Sequence, residues 1–233
     1  MFVSVVIPTY NRLPILKKCL KALENQTYID EIVDYEIVIV DDGSTDGTKE
    51  WMKSNFQYFP HLKLYEQSHG GPALARNLGV EKSKGDLIIF IDSDLVVEKY
   101  FLRSHVKSLM KAWSKFGNRK CFTYGSVINT SNFSSPNSEP FKLQDLSWAY
   151  FATGNVAIDK TILIKSGLFD TSFRLYGWED LELGERLRNM GVKLVKCPKA
   201  IGYHWHPALS LDQIPNLIRI EKERAKMGLV FYR

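Results

Sequence analysis

The period of apolar and polar positions changes several times along the chain, and each change marks an element. Val3–Ile7 is a β-branched run with the pattern of a buried strand. Leu13, Leu16, Leu20 and Leu23 then recur at the spacing of an amphipathic helix. Glu36–Val40 predicts a second strand, closed by Asp41-Asp42-Gly43-Ser44, with Thr45 or Asp46 placed to cap a helix running toward Phe56. Leu62–Tyr65 is a weaker third strand. Gly70-Gly71-Pro72 opens a helix through Val80, because proline suits a first helical turn, and Leu87–Ile91 is a fourth strand. This alternation predicts an α/β fold with a mostly parallel sheet and helices on both faces. Ligands in such sheets sit beyond the C-terminal strand ends, where the Asp pairs 41/42 and 92/94 fall.

The second half is less regular. Tyr100–Phe116 predicts a helix, Phe122–Ile128 a strand, and the Ser-, Asn- and Pro-rich stretch Asn129–Pro140 a mobile surface loop. Trp148, Tyr150 and Phe151 read as core, and Ala152–Ala157 as a glycine turn into an apolar strand. Leu181–Met190 predicts a helix stopped by Gly191, Val192–Val195 a strand, and Ile214–Met227 a terminal helix. With no internal repeat or linker, residues 1–233 are expected to form a single domain, divided at residue 98.

Composition narrows the class. The 233 residues are 45% hydrophobic and 24% charged, which is ordinary for a globular protein. No stretch approaches the ~20 apolar residues of a membrane span, and the N-terminus runs into a strand with no basic leader. Cys19, Cys121 and Cys197 match no disulfide or zinc spacing, so they are expected as buried thiols in a reducing, cytoplasmic setting. A net charge of +5 suits an anionic substrate or membrane surface and is too mild to indicate nucleic acid. The basic tail Arg219, Lys222, Arg224 and Lys226, followed by Leu229-Val230-Phe231-Tyr232, either packs on the domain or touches the inner face of a membrane.

The chemistry concentrates in a few segments. Leu87–Ile91 delivers Asp92 and Asp94 to the sheet edge, and strand alternation would set both on one side. Two such carboxylates repel each other unless a cation lies nearby. A hard divalent ion bridging them to diphosphate oxygens resolves the conflict. In isolation Asp92-Ser93-Asp94 reads better as a polar turn capping the next helix, because the motif is so short. Farther on, Gly177-Trp178-Glu179-Asp180 combines a turn glycine, a flat aromatic face and two acids at a helix start, whose positive end favours their anionic form. An ionised carboxylate there can accept a hydroxyl proton, with Asp180 preferred as base and Glu179 able to exchange roles with it. His204 and, second, His206 alternate onto one face and are candidate metal ligands.

Three ordered segments set these acids in context. They are Val5–Arg12, Val38–Thr48 and Gly71-Pro72-Ala73-Leu74-Ala75-Arg76-Asn77, followed by Asp92-Ser93-Asp94. The set resembles family 2 glycosyltransferases of the GT-A fold, a Rossmann-like architecture, over residues 3–98. The segment 169–187 is similar to the acceptor-side signature of galactosyltransferase-like C-terminal regions. The resemblance implies a nucleotide-sugar half (1–98) and an acceptor half (99–233). It implies that Pro8, Thr9, Tyr10 and Arg12 line the nucleotide, that Asp41 contacts the base with Asp42 nearby, and that Arg76 neutralises phosphate or fixes the base-binding loop. Asp92 and Ser93 would reach the nucleotide sugar, and Asp94, Asp92 and His204 or His206 would hold the metal. Gly154, Asn155, Gly177, Trp178 and Glu179 would face the acceptor. An imidazole among carboxylates favours Mn²⁺ over Mg²⁺.

The implied reaction is an inverting transfer from a nucleotide-diphosphate donor, by default a UDP-sugar, to a hydroxyl on a polysaccharide, lipid-linked sugar or protein glycan. Two other readings stay open. One is a retaining transferase on the same scaffold, although such relatives often carry an amide where this chain has Asp180. The other is a non-catalytic nucleotide-sugar-binding partner. A nucleotidyltransferase would need a glycine-rich basic loop after the first strand, which Thr9-Tyr10-Asn11-Arg12 is not.

Overall fold

The computed structural model describes residues 1–27, 34–138, 149–208 and 210–232. Trp148 and the last two residues of the 129–140 loop lie outside them. The strands are β1 (Phe2–Thr9), β2 (Asp34–Asp41), β3 (Leu62–Glu66), β4 (Leu87–Ile91), β5 (Leu95–Val97), β6 (Cys121–Thr130), β7 (Asn155–Asp159) and β8 (Lys193–Trp205). The helices are α1 (Leu13–Glu24), α2 (Thr48–Asn55), α3 (Pro72–Lys82), α4 (Phe101–Phe116), α5 (Lys160–Lys165), α6 (Glu179–Asn189) and α7 (Ile214–Phe231).

One eight-stranded sheet runs through the chain in the order β3-β2-β1-β4-β7-β6-β8-β5. The β1–β2, β2–β3 and β1–β4 pairs are parallel. β7 runs antiparallel to β4 and β6, while β6 and β8 are parallel. Burial on both faces explains the unbroken apolar runs. Val5 and Ile7 of β1 point to a core that includes Leu16 and Leu20 of α1 and Val106 of α4. Val6 points to the opposite core, with Ala73 and Val80 of α3 and Leu183 and Leu187 of α6. The sheet is thus covered by helices on both sides, as the alternating pattern predicts.

Four details depart from the sequence reading. Gly47 holds the position before α2, and Asp46 one residue earlier serves two helices: its Oδ1 accepts from the Thr48 N–H that opens α2, and its Oδ2 accepts from the Leu13 N–H of α1 at 2.9 Å, 33 residues away. Asn129 and Thr130, expected in a loop, end β6. α5 went unread, although Asp159 caps it by accepting from the Thr161 and Ile162 N–H groups. The strand expected at 192–195 extends to Trp205. Its pairing with β6 jumps from Gly125–Cys197 to Ser126–Ile201, looping out Pro198, which has no N–H for the ladder.

A buried polar knot joins α4, β6 and β7. His105 Nδ1 lies 2.8 Å from Thr123 Oγ1, and its Nε2 lies 2.9 Å from Asn155 Oδ1. Burial pushes the His105 imidazole down to about 4, so it is neutral, and the Asn155 hydrogen bond opposes that shift. Asn155 Nδ2 donates to the carbonyls of Ser126 and Ala200. The three cysteines are free and buried. No helix among the described residues is long and apolar enough to cross a membrane. Asn155→Ala should strand His105 and two carbonyls. Each unsatisfied group costs about 1–3 kcal/mol, so thermal unfolding followed by circular dichroism should show a melting temperature several degrees lower.

Candidate active site

β1 and β2 end side by side, with Thr9 paired to Asp41, and their outgoing loops interlock. Asn11, in the left-handed region at φ 53°, accepts from the Thr45 N–H through Oδ1 and donates its own N–H to Ser44 Oγ. Asp41 Oδ1 accepts from the Ser44 N–H, so the expected turn chemistry is present there. Thr9 Oγ1 is buried without a hydrogen-bond partner. Tyr10 is exposed and stacks on His69, ring centroids 4.1 Å apart. Asp42 is committed elsewhere than expected. Its carboxylate accepts from Gln67 Nε2 and from the Gly70 and Gly71 N–H groups, and His69 Nδ1 lies 3.0 Å from Oδ2. With both oxygens engaged, Asp42 holds the 67–71 loop.

The turn after β4 carries the acids. Asp92–Asp94 is a turn, closed by the Leu95 N–H donating to Asp92 O, and not the extended stretch whose alternation was expected to align the carboxylates. Ser93 is buried within it. β5 follows at once and pairs antiparallel with β8, Leu95 against His204. That register carries His204 to the acids, with Nε2 2.9 Å from Asp94 Oδ1. One ligand atom from each of Asp92, Asp94 and His204 lies within 4.8 Å of the others. Two carboxylates and an imidazole are donors that suit a divalent transition-type cation, so the set fits a metal. His206 is one step removed, its Nε2 3.1 Å from His204 Nδ1. It therefore bears on His204 from behind, as a residue fixing a ligand ring does. Arg12 reaches toward the same acids, 3.9 Å from Asp94 Oδ2. Burial opposes ionisation of Asp94, but the hydrogen bond and charge of His204 outweigh it and hold the carboxyl below its usual range.

Arg76 links this cluster to the second half of the chain. It is 5% exposed, and it donates to Glu179 Oε1 at 2.7 Å and to Asp92 Oδ1 at 3.2 Å. Burial works against its charge, and the surrounding Glu179, Asp92 and Asp180 more than offset that. Its guanidinium is thus paired to carboxylates, where a contact to phosphate or to the base-binding loop was expected. Arg76 Nε and Glu179 Oε2 are buried with no hydrogen-bond partner. Neighbouring Asn77 clasps Phe169 in both directions, Nδ2 to the carbonyl at 2.8 Å and Oδ1 from the N–H at 3.0 Å. Gly71, at φ 91°, completes the join. A Cβ there would sit 2.7 Å from Arg174 O, so only glycine permits this approach.

Glu179 and Asp180 open α6, as expected, but the helix end does not keep Asp180 in the ordinary carboxylate range. Burial and the adjacent Glu179 carboxylate push Asp180 up to about 7, which outweighs the helix terminus and the Leu181 N–H bonded to Oδ1. Gly154 lies against Asp92, since a Cβ there would come 3.1 Å from Oδ2. Asn155, expected toward an acceptor, is fully buried in the knot with His105 and has no free polar group to offer. Trp178 is also not free as expected. Its Nε1 donates to Arg224 O, and its ring packs 5.2 Å from Phe231 of α7. Gly177, at φ 94°, supplies the turn that presents it.

The family model described as glycosyl transferase family 2 matches residues 4–167. The chain belongs to this family. The matched stretch stops before the Gly177–Asp180 segment. Chondroitin synthase from Escherichia coli is 29% identical over 88% of this chain and 34% of its own length. Glycosyltransferase AglE from Haloferax volcanii is 38% identical over 46% of this chain and 35% of its own. The chain thus spans about a third of these curated relatives. Among solved structures, S. aureus TarS 1–349 in complex with UDP-GlcNAc matches 90% of this chain and 60% of its own with a TM-score of 0.68 at 19% identity. The mannosyltransferase PcManGT from Pyrobaculum calidifontis, in complex with GDP-Man and Mn²⁺, matches 86% and 55% with a TM-score of 0.63 at 23% identity. These likenesses establish the GT-A fold.

Within this family 2 chain, several residues that shape the site escaped the sequence reading. Asn11, Gln67, His69 and Asn77 act through hydrogen bonds whose partners are 25 to 92 residues away. Only Asn11 carried a local signal, since asparagine tolerates the left-handed region. Arg76→Ala should leave Glu179 buried without its cation. Breaking such a pair costs about 3–5 kcal/mol, or roughly 6–20 °C in melting temperature for a chain of this size. Adding Glu179→Gln should recover part of the loss. An unchanged melting temperature in the single variant would show that the pair does not hold the two halves together.

Proposed function

We propose that the chain transfers a sugar from a nucleoside diphosphate, with a UDP-sugar as the expected donor, to a glycan or lipid-linked hydroxyl, inverting the anomeric centre. The observation that carries this reading is the shared guanidinium of Arg76. It bonds both Asp92 and Glu179, and this reading takes the first as a donor-side and the second as an acceptor-side acid, whose proximity a single displacement requires. The nucleotide complexes of TarS and PcManGT, on the same fold, support the donor class.

In this reading Pro8, Thr9, Tyr10 and Asp41 receive the base and ribose, where the orphaned Thr9 hydroxyl and the Tyr10 ring stand at the β1 end. Asp92, Asp94 and His204 would hold a divalent cation that would supply positive charge for a diphosphate leaving group, with Mn²⁺ favoured by the imidazole. Arg12 adds positive charge from the exposed side. Arg76 fixes the orientation of Glu179, whose unpartnered Oε2 accepts from an acceptor hydroxyl. Asp180 takes the proton of the attacking hydroxyl. As that oxygen bonds to the anomeric carbon, the carbon–oxygen bond to the diphosphate breaks on the opposite face, and the nucleoside diphosphate carries away the electron pair. No enzyme nucleophile intervenes, so configuration inverts.

A base must be ionised to act, and Asp180 is raised to about 7. Its activity therefore falls about tenfold per pH unit below that value and levels off above it. The test is a donor screen by nucleotide release with and without Mn²⁺, followed by Asp180→Asn. That variant should lose transfer by at least a hundredfold and keep donor affinity in calorimetry. Near-normal turnover would remove Asp180 as the base, and an unchanged anomeric configuration in product NMR would favour a retaining mechanism. His204→Ala should abolish the Mn²⁺-dependent part of nucleotide binding.

A further inference from the structure

The terminal helix α7 is joined to the domain on one side only. Of its eighteen residues, Met227 and Gly228 are buried, and the contact runs through Trp178 and Phe231. Ile220, Glu223, Val230 and Phe231 are half-buried and the remaining residues are exposed, although helices in proteins take most of their stability from packing an apolar face. Ile214, Ile218, Leu229 and Tyr232 recur at intervals of four, eleven and three residues, which returns them to one face, and Leu211 continues the stripe N-terminally. They are strongly exposed: Ile218 at 50%, Leu229 at 70% and Leu211 at 85%. Exposed Lys222 and Lys226 line one border of the stripe and make no ion pair among the described residues. Arg219 shares that border, paired to Glu223, while Glu221 on the other border is paired to Arg224.

We infer that α7 is a membrane-docking helix that lies on an anionic lipid bilayer, with this stripe in the acyl boundary and Lys222 and Lys226 at the headgroups. A large aliphatic face bordered by lysines is the chemistry of an interfacial helix. Charge complementarity argues for an anionic lipid surface, because Lys222 and Lys226 border the stripe with no ion pair among the described residues. The docking has a consequence for the cleft. Trp178 is hydrogen-bonded to Arg224 O, and the Arg224 guanidinium lies over Tyr176 at 5.4 Å, so the segment leading to Glu179 and Asp180 is fixed to the helix that meets the bilayer.

The proposal is tested without donor or acceptor, so its outcome is separate from that of the transfer reaction. The 233-residue chain is floated with vesicles of phosphatidylcholine alone and with about a third phosphatidylglycerol. Binding is expected to the anionic vesicles only and to weaken as salt is raised. Lys222→Gln with Lys226→Gln should lower partitioning by roughly thirtyfold. Ile218→Glu and Leu229→Glu, at exposed positions clear of the site, should abolish it while leaving the circular dichroism spectrum intact. Absence of binding to anionic vesicles would overturn the inference, as would equal binding to both kinds. A dimer in sedimentation equilibrium that Leu229→Glu dissociates would overturn it in favour of a second copy.

Discussion

A single guanidinium buried between carboxylates holds the site in one piece. Arg76 stands on α3, in the family-matched half, and its two acid partners come from the turn after β4 and from the start of α6. Burying those charges is costly in isolation, and each is tolerable because the others are present. The constraint reaches outward. Asn77 and Gly71, on either side of Arg76, fasten the 169–174 stretch to the same helix, so the acids of α6 are positioned by α3 as much as by their own loop.

That arrangement divides labour between adjacent acids. Glu179 faces Arg76 directly, whereas Asp180 has no guanidinium hydrogen bond of its own and sits beside a second negative charge. Burial and Glu179 therefore raise Asp180 to about 7. In the proposed reaction these different environments would give the two carboxyl groups different roles, one orienting and one exchanging a proton. On the donor side, the three-residue strand β5 does comparable work. By pairing with β8 it brings an imidazole from residue 204 to acids at 92 and 94, which no local pattern connects.

Much of this was legible in the chain. The unbroken apolar runs of β1, β2 and β4 and the heptad-like spacing of α1 specified a sheet covered on both sides, because only full burial accommodates such strands. The positions of Asp41, Asp92 and Asp94 at strand ends followed from the same pattern. Asp42 and Asn155 were misread for a common reason. Both are polar residues beside a turn, and sequence cannot distinguish a carboxylate or amide kept for a ligand from one consumed by backbone groups of a remote loop. Trp178 was read as an open face for the same reason, since its cover comes from α7, about fifty residues later.

The sequence by itself determined the mostly parallel sheet, its order of strands and helices through β4, and the residue types available for chemistry, since these depend on periodicity and short-range turn preferences, and its ordered motifs carried the resemblance to the family. Tertiary structure alone decided which of those residues meet: the register of β8 against β5, the capture of Arg76 by two acids, and the commitment of Asp42 to the 67–71 loop. Such pairings depend on distances between segments far apart in the chain, and a pattern with a period of a few residues contains no information about them.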